Sequence, residues 1–477
     1  MMKYLGKSTG FGMKPGTDTL SPYAVSAFGE QPQLRTRSQL SYRLIEKDLM
    51  EMGRNGQKLD FQNDKLLKQS LFLTSQAFRF QKRVHPIHLN DIFDMDFEFR
   101  HSSPGIPWQP TFKTRGEVME DSSARNSIRW FWHRIKKGES IKLPDTKVLY
   151  RAHIAESSGK PKIRAVFGYP TTVTLAEAQF AVPLIDGFKH QSTPLSYGYD
   201  MACGGASRLR RELAPYRFFT CLDFKKFDKT ISADMITMAF DVLEQNIDWT
   251  QYEGHGVPDA SRLYRVWQTL IDYFINTNLR FCDGRRFRKS AGVPSGSFFT
   301  QLIDSIVNYF LIVYAYLKML KRPPLYLRVF GDDSVIGDNT QLHLCDIARV
   351  MYDLGMIVNL EKSLMTANID EVEYLGFCIR GGFPHRKFDK WMESLYHPEF
   401  PDTEWDDFAS RALGLFYANR GVDGKFDGMC RQVIEFRPFT IRFSRDFRRF
   451  LNNIGIDTRR LDPNLPDRTH LLFSLIG

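Results

Sequence analysis

The chain has 477 residues, of which 43% are hydrophobic, 14% aromatic and 25% charged, and its net charge is +10. That length carries a large core and roughly two to four domains or subdomains, and the composition, free of low-complexity blocks, excludes a disordered chain. The positive excess, with a pI of about 9.1, favours a polyanionic partner, nucleic acid before membrane.

Six scattered cysteines form no CxxC pair, which argues against a zinc centre or disulfide framework and for reduced thiols in a cytosolic protein. The N-terminal MMKYLGKSTGFG lacks the apolar core of a signal peptide. The longest apolar run, IVNYFLIVYAYLKML (306–320), is too short for a membrane span and contains Asn308 and Lys318. A soluble protein is expected.

Residues 1–40, rich in Gly, Ser, Pro and Gln, read as an extended arm rather than a packed unit. Helical patches alternate with loops over 41–215, interrupted by the rigid, turn-rich HSSPGIPWQP (101–110). YRFFTCLDF (216–224) reads as a buried strand ending in Asp223. ADMITMAFDVLEQNI (233–247) follows as a helix capped by Ser232, with Ile236, Phe240, Leu243 and Ile247 at helical spacing. A second amphipathic helix over about 260–276 aligns Leu263, Trp267, Leu270 and Phe274. Asp283-Gly284 within LRFCDGRRFR (279–288) suits a hairpin with a type I′ turn. A Gly-Pro-Ser-Gly loop leads to a long helix over about 297–320. LYLRVFGDDSVIG (325–337) is a second hairpin, a helix over 341–354 ends at Gly355, and MIVNL (356–360) reads as the next strand. Apart from the insertion at about 250–290, this order of strand, helix, strand, strand, helix, strand predicts an α+β, ferredoxin-like arrangement.

Asp332 and Asp333 fall where the second hairpin turns, and Asp223 ends a strand of the same predicted sheet. Three carboxylates at one edge repel one another unless cations neutralise them. Hard oxygen ligands of this kind suit Mg²⁺, and two such ions roughly 3.5–4 Å apart serve in-line phosphoryl transfer. The plain alternative for Gly-Asp-Asp is an ordinary turn. Asp228 lies five residues past Asp223 and is flanked by lysines. Thr300 and Asp304 share one helical face with Asn308 a turn further, while Ser295 and Gly296 let the backbone approach a sugar or phosphate. Lys160, Lys162 and Arg164 alternate along GKPKIRAVFGYP (159–170), as a strand that presents cations to phosphate oxygens would require. An edge strand defended by lysines has the same pattern. Near the C-terminus, Phe436, Phe439, Phe443, Phe447 and Phe450 recur at three- and four-residue steps, as an aromatic stripe along one helix. Seven arginines in 436–460 (Arg437, Arg442, Arg445, Arg448, Arg449, Arg459, Arg460) face only Asp446 and Asp457. This excess fits either an RNA clamp or a solvated face.

Together these stretches resemble the palm motifs of viral RNA-directed RNA polymerases: D-x4-D at Asp223 and Asp228, S-G-x3-T at Ser295, Gly296 and Thr300, and GDD at Gly331, Asp332 and Asp333. GVPSGSFFTQLIDSIVN and KIRAVFGYP especially resemble the polymerases of partitiviruses, double-stranded RNA viruses. The resemblance implies a right hand: fingers (41–214, with an insertion at 250–289), ferredoxin-like palm (215–249 and 290–383) and helical thumb (384–477). It also implies RNA template-directed addition of ribonucleotides with two Mg²⁺ ions, or Mn²⁺ in their place. Asp223 and Asp332 would be the principal metal ligands, assisted by Asp333. Asp228 would sense the ribose 2′-hydroxyl with Ser295, Gly296 and Thr300, and Asp304 would contribute indirectly where many relatives carry Asn. Lys160, Lys162, Arg164 and Arg151 would hold the triphosphate. Lys362, in a segment resembling motif D, would give the leaving pyrophosphate a proton. EYLGF (373–377) resembles motif E beside the primer, and SSPGIPW (102–108) resembles motif G, with Ser103 and Gly105 near the template. Arg442, Arg445 and Arg449 would meet RNA backbone. The resemblance further implies a dsRNA genome, a capsid protein partner, no membrane, and work inside the virion or host cytoplasm. The rivals are a reverse transcriptase, disfavoured by Asp228 at the sugar, and a non-enzymatic dsRNA-binding or coat protein.

Overall fold

The computed structural model describes residues 2–12, 19–30, 35–38, 41–53, 58–156 and 163–475. In chain order its first elements are β1 (Lys3–Lys7), α1 (Pro22–Phe28) and α2 (Tyr42–Leu49). The described parts of the first forty residues include both strand and helix, and both are tied down. β1 pairs with a hairpin strand at residues 285–288, and Ser21 caps α1 while its hydroxyl donates to Asp402 at 2.5 Å.

A hairpin follows, β2 (Thr146–Ala152) and β3 (Ile163–Gly168), and then α3 (Thr171–His190), whose first eleven residues are all buried. Beyond it come β4 (Phe218–Leu222), α4 (Ala233–Glu244) and α5 (Ala260–Ile275). The Ser232 hydroxyl accepts the Met235 N–H at 3.2 Å and so starts α4, as its sequence position requires. Leu263, Trp267, Leu270 and Phe274 of α5 are all buried. β5 (Asn278–Arg280) and β6 (Arg285–Arg288) form the first predicted hairpin with a different turn. Phe281 and Arg285 still pair, leaving Cys282, Asp283 and Gly284 as a three-residue loop with Gly284 at φ +85°. This is the longer hairpin connection with glycine at its left-handed position, instead of the type I′ turn.

α6 (Thr300–Leu320) precedes β7 (Tyr326–Phe330), β8 (Asp333–Asp338), α7 (Leu344–Asp353) and β9 (Leu364–Thr366). By length and composition α6 could cross a membrane, but 83% of its apolar window is buried inside the protein, where it serves as the central core helix. The last strand therefore lies after MIVNL. Residues 357–359 only brush the chain beyond β4, through Lys225 N–H to the Ile357 carbonyl and Asn359 N–H to the Asp223 carbonyl, both 2.8 Å. The Asn359 carbonyl then accepts from Lys362 and Ser363 in a tight turn, which ends any strand there. Val358 makes an isolated antiparallel bridge to Phe224, Met356 is buried and Leu360 is exposed, so 356–360 adds one bridge to the sheet rather than a full strand.

The four strands order as β9-β4-β8-β7, all antiparallel, the split βαβ order anticipated from sequence. The sheet is buried on both faces. Ile336 and Val329 pack into the core built around α6, while the neighbouring Val335 and Phe219 face the core of the C-terminal helices. A second, five-stranded sheet orders as β1-β6-β5-β2-β3. The C-terminal region is helical: α8 (Phe388–Tyr396), α9 (Trp405–Asn419), α10 (Gly424–Phe436) and α11 (Arg445–Asn453). The aromatic stripe is accordingly not one helix. Pro438 sits in a break over 437–444, and Ser444 caps a new helix by accepting the Phe447 N–H.

Candidate active site

The two acids of the Gly-Asp-Asp stretch stand where a two-residue hairpin turn closes. Phe330 pairs with Asp333, and Gly331 has φ +65°, the first central position of a type II′ turn, where glycine is required. Ser334 pairs with Leu222 in antiparallel register, so one step further Asp333 faces Asp223 across the strand ends, with both side chains on one face of the sheet. The turn is braced from α6. The Ser305 hydroxyl accepts the Gly331 N–H at 2.8 Å, and Asn308 Nδ2 donates to the Gly331 and Asp333 carbonyls at 3.0 and 3.3 Å. Asp223 is held by Asn359 Nδ2, which donates to its Oδ1 at 2.9 Å, and by Ser363, whose hydroxyl accepts its N–H at 2.9 Å.

These acids feel one another. Burial and the neighbouring Asp332 and Asp223 push the Asp333 carboxyl up to about 7, Glu373 adding to the rise and Lys390 opposing it. Burial also raises Asp332, with Asp223 adding to it and Arg164 pulling the other way. Asp228 is raised by burial, countered by Lys229 and Arg164. Asp304 is pushed well up, first by burial and then by Asp228 and Asp332, and its Oδ1 is buried with no hydrogen-bond partner. Among the described residues, no three His, Cys, Asp or Glu side chains close into a ready-made metal cage. What the strand ends offer is an open, under-neutralised set of carboxylate oxygens. That set suits a hard cation that keeps water and shares substrate phosphates rather than one wrapped by protein alone.

Around this edge, Arg164 is exposed on β3 within electrostatic reach of Asp228 and Asp332. Lys160 and Lys162 lie outside the described residues. Arg151, opposite Arg164 in the β2–β3 register, is engaged by Glu399 at 2.6 Å. Thr300 opens α6 and its hydroxyl donates to the Pro294 carbonyl at 2.8 Å. Ser295 is half-buried in the loop before it. Gly296 has a different use from the one its sequence context suggests: a Cβ there would lie 2.1 Å from the Phe167 carbonyl oxygen, so the missing side chain lets the loop press against β3. Lys362 is exposed in the turn before β9. Ser103 is exposed, with its carbonyl accepting from Arg115 Nε at 3.2 Å, and a Cβ on Gly105 would meet the Tyr169 and Pro170 backbone at 2.9 Å.

The C-terminal arginines are less free than their count suggests. Arg442 pairs with Glu404, Arg445 with Asp446, and Arg459 and Arg460 with Asp457, while Arg437 lies over the Trp405 ring. Arg449 is near Tyr197. Four supporting residues were invisible as such in the sequence: Asn359, Ser363, Asp48 and Glu177. Asp48 on α2 accepts the Ala165 N–H at 2.9 Å and pairs with Lys229. Glu177 on α3 accepts from Ser297 and Phe298. Each is an ordinary polar residue in a local window, and only long-range contacts give it a place.

The model of the viral RNA-dependent RNA polymerase family matches residues 33–405. The chain belongs to that family. The polymerase family also accounts for its curated relatives, as the resemblance to partitivirus enzymes led one to expect. The RNA-directed RNA polymerase of Atkinsonella hypoxylon virus is 26% identical over 415 residues, covering 77% of this chain and 57% of the relative. Those of White clover cryptic virus 1 and Cryptosporidium parvum virus 1 are 26% and 25% identical, covering 60% and 67% of this chain and 53% and 62% of each relative. The chain thus spans a little over half the length of the curated relatives it matches. Among solved structures, the Sicinivirus 3Dpol RNA dependent RNA polymerase aligns over 98% of this chain and all of its own, with TM-score 0.67 at 15% identity. The fold is that of a right-hand polymerase, α+β, with the four-stranded sheet as its palm.

Proposed function

We propose that the chain is an RNA-directed RNA polymerase, adding ribonucleotides to an RNA 3′ end on an RNA template in replication and transcription of a dsRNA viral genome. The observation that carries this is the meeting of Asp223 with Asp332 and Asp333 at one sheet edge, where the Asp223 charge helps to raise both carboxyls of the turn, in a chain of this family. The carboxylate set fits Mg²⁺, held by Asp223 and Asp332 with Asp333 assisting. When bound, the two ions would supply an activated 3′-hydroxyl and a steadied leaving oxygen. The protein's own groups do the rest. Asn359 fixes the Asp223 carboxylate, and Arg164 offers a guanidinium to triphosphate oxygens. Asp228, with Ser295 and Thr300, recognises the 2′-hydroxyl, which favours NTPs over dNTPs because the deoxy analogue leaves polar groups unpaired.

Lys160 and Lys162 extend the phosphate contact, while Arg151 joins only if it leaves Glu399. Lys362 is free to donate a proton to pyrophosphate, and Ser103, Gly105, Arg442, Arg445 and Arg449 line the RNA path. In domain terms the fingers take 41–214 and 250–289, the palm 215–249 and 290–383, and the thumb 384–477, with 1–40 as an arm. A capsid protein is the proposed partner and the virion interior or host cytoplasm the workplace. The test is synthesis from purified protein, single-stranded RNA, NTPs and Mg²⁺, with dNTPs in parallel and Asp333→Asn as control. Product from NTPs alone, lost in the variant, is expected. Equal product from the variant overturns the assignment.

A further inference from the structure

The loop between β6 and α6 has no regular structure, yet the proposed sugar contacts depend on its shape. Its first half is tied to the Asp228 segment: the Gly292 N–H bonds the Ile231 carbonyl at 2.9 Å and the Val293 N–H bonds the Asp228 carbonyl at 2.7 Å. Its second half is held by the Thr300 hydroxyl at the Pro294 carbonyl and by a side chain from 120 residues upstream. Ser297 Oγ donates to Glu177 Oε1 at 2.6 Å and the Phe298 N–H donates to Glu177 Oε2 at 3.0 Å. Ser297 Oγ in turn accepts the Phe299 N–H at 3.1 Å, one residue before α6 begins. Glu177 is 1% exposed on α3, a helix packed throughout its first three turns, so the loop is referenced to a fully buried stretch of the core.

A carboxylate in such a place is costly, and a hydrocarbon of similar volume would pack there at lower cost. Burial raises the Glu177 carboxyl to about 7; the compensation comes first from the Ser297 and Phe298 bonds and last from Arg115, itself 8% exposed. That guanidinium spends its donors on the Tyr169 carbonyl at 2.7 Å and the Ser103 carbonyl at 3.2 Å, and acts on Glu177 through charge. One buried pair thereby joins the 102–105 loop, the end of β3 and the 294–299 loop.

We infer that Glu177 is a positioning residue for nucleotide selection: its two acceptor bonds set the 294–299 loop and so place Ser295 and Thr300 against the ribose. The inference rests on the polymerase reading above. Glu177→Gln keeps an oxygen for the Phe298 N–H and an amide that donates to Ser297 Oγ, whereas Glu177→Ala leaves both groups buried and unsatisfied. At a temperature where each variant is folded by its melting curve, Glu177→Ala is expected to raise KM for NTP, and to cut the preference for NTP over dNTP, by about tenfold each. Glu177→Gln stays within about threefold of wild type. If Glu177→Ala does not fold, Ser297→Ala, which removes the donor to Glu177 Oε1 and the acceptor of the Phe299 N–H but keeps the Phe298 bond, has to move both quantities in the same direction. Unchanged KM and sugar preference in a folded Ala variant, or Gln no better than Ala, overturns the inference. Should the wild type make no RNA at all, the polymerase reading fails. Amide hydrogen exchange then decides this one: faster exchange at Phe298 and Phe299 in Ala than in Gln upholds it, and equal exchange sinks it.

Discussion

Replacing Asp333 with Asn should make the metal-free protein more stable while abolishing synthesis. The Asp333 carboxyl is displaced from its ordinary 3.8 to about 7 by burial, Asp332 and Asp223, and at 1.36 kcal/mol per pH unit that is a penalty of about 4 kcal/mol on the charged form. Protein crowds the carboxyl, yet the residue keeps a surface open to solvent at the turn, so screening reduces the usable figure to about 1–2 kcal/mol. The sign follows from linkage. A carboxyl whose folded value exceeds its unfolded one costs nothing below about pH 4, and its charged form penalises the fold increasingly up to about pH 7. Asn removes the penalty, so its advantage should be partial at pH 4.5 and full at pH 8. Urea unfolding in EDTA at both pH values measures this. A variant that is no more stable at pH 8, or equally stabilised at both, refutes the idea of an uncompensated carboxylate cluster at the strand ends.

Other outcomes follow from the same contacts. Asn359→Ala deletes the donor to Asp223 Oδ1 and should lower incorporation about tenfold; Asn359→Asp, which adds a repelling charge, should be worse in a single-turnover assay. Gly296→Ala drives a Cβ into the Phe167 carbonyl; thermal unfolding should show a loss of about 1–3 kcal/mol and NTP binding should weaken. Burial first, then Asp228 and Asp332, favour the uncharged form of the Asp304 carboxyl. Asp304→Asn should therefore leave rate and sugar preference nearly unchanged at pH 7 and stability equal or higher by denaturant titration. Arg411→Met breaks a buried pair with Asp402, which also accepts from Ser21. A loss of about 3–5 kcal/mol is expected, with faster proteolysis of the α1 segment at the N-terminus.

By itself, the sequence determined the features that local chemistry controls. Helix α5 was legible from Leu263, Trp267, Leu270 and Phe274, the start of α4 from Ser232, and the acid-bearing turn from Gly331, because a helical period, a cap and a positive φ are each written within a few residues. The palm order followed from the order of those elements, and the meeting of Asp223 with the Asp332–Asp333 turn from the strand ends that carry them. Tertiary structure decided what depends on partners far along the chain. It left 356–360 with a single bridge, Val358 to Phe224, and put the regular last strand at Leu364–Thr366, since the turn at Asn359 interrupts the pairing. It broke the aromatic stripe at 437–444 and bound Arg151 and Arg442 to glutamates. It gave Gly296 to the Phe167 carbonyl, and it recruited Asn359, Asp48 and Glu177. No window of sequence encodes a neighbour more than a hundred residues away; only the folded core brings such residues together.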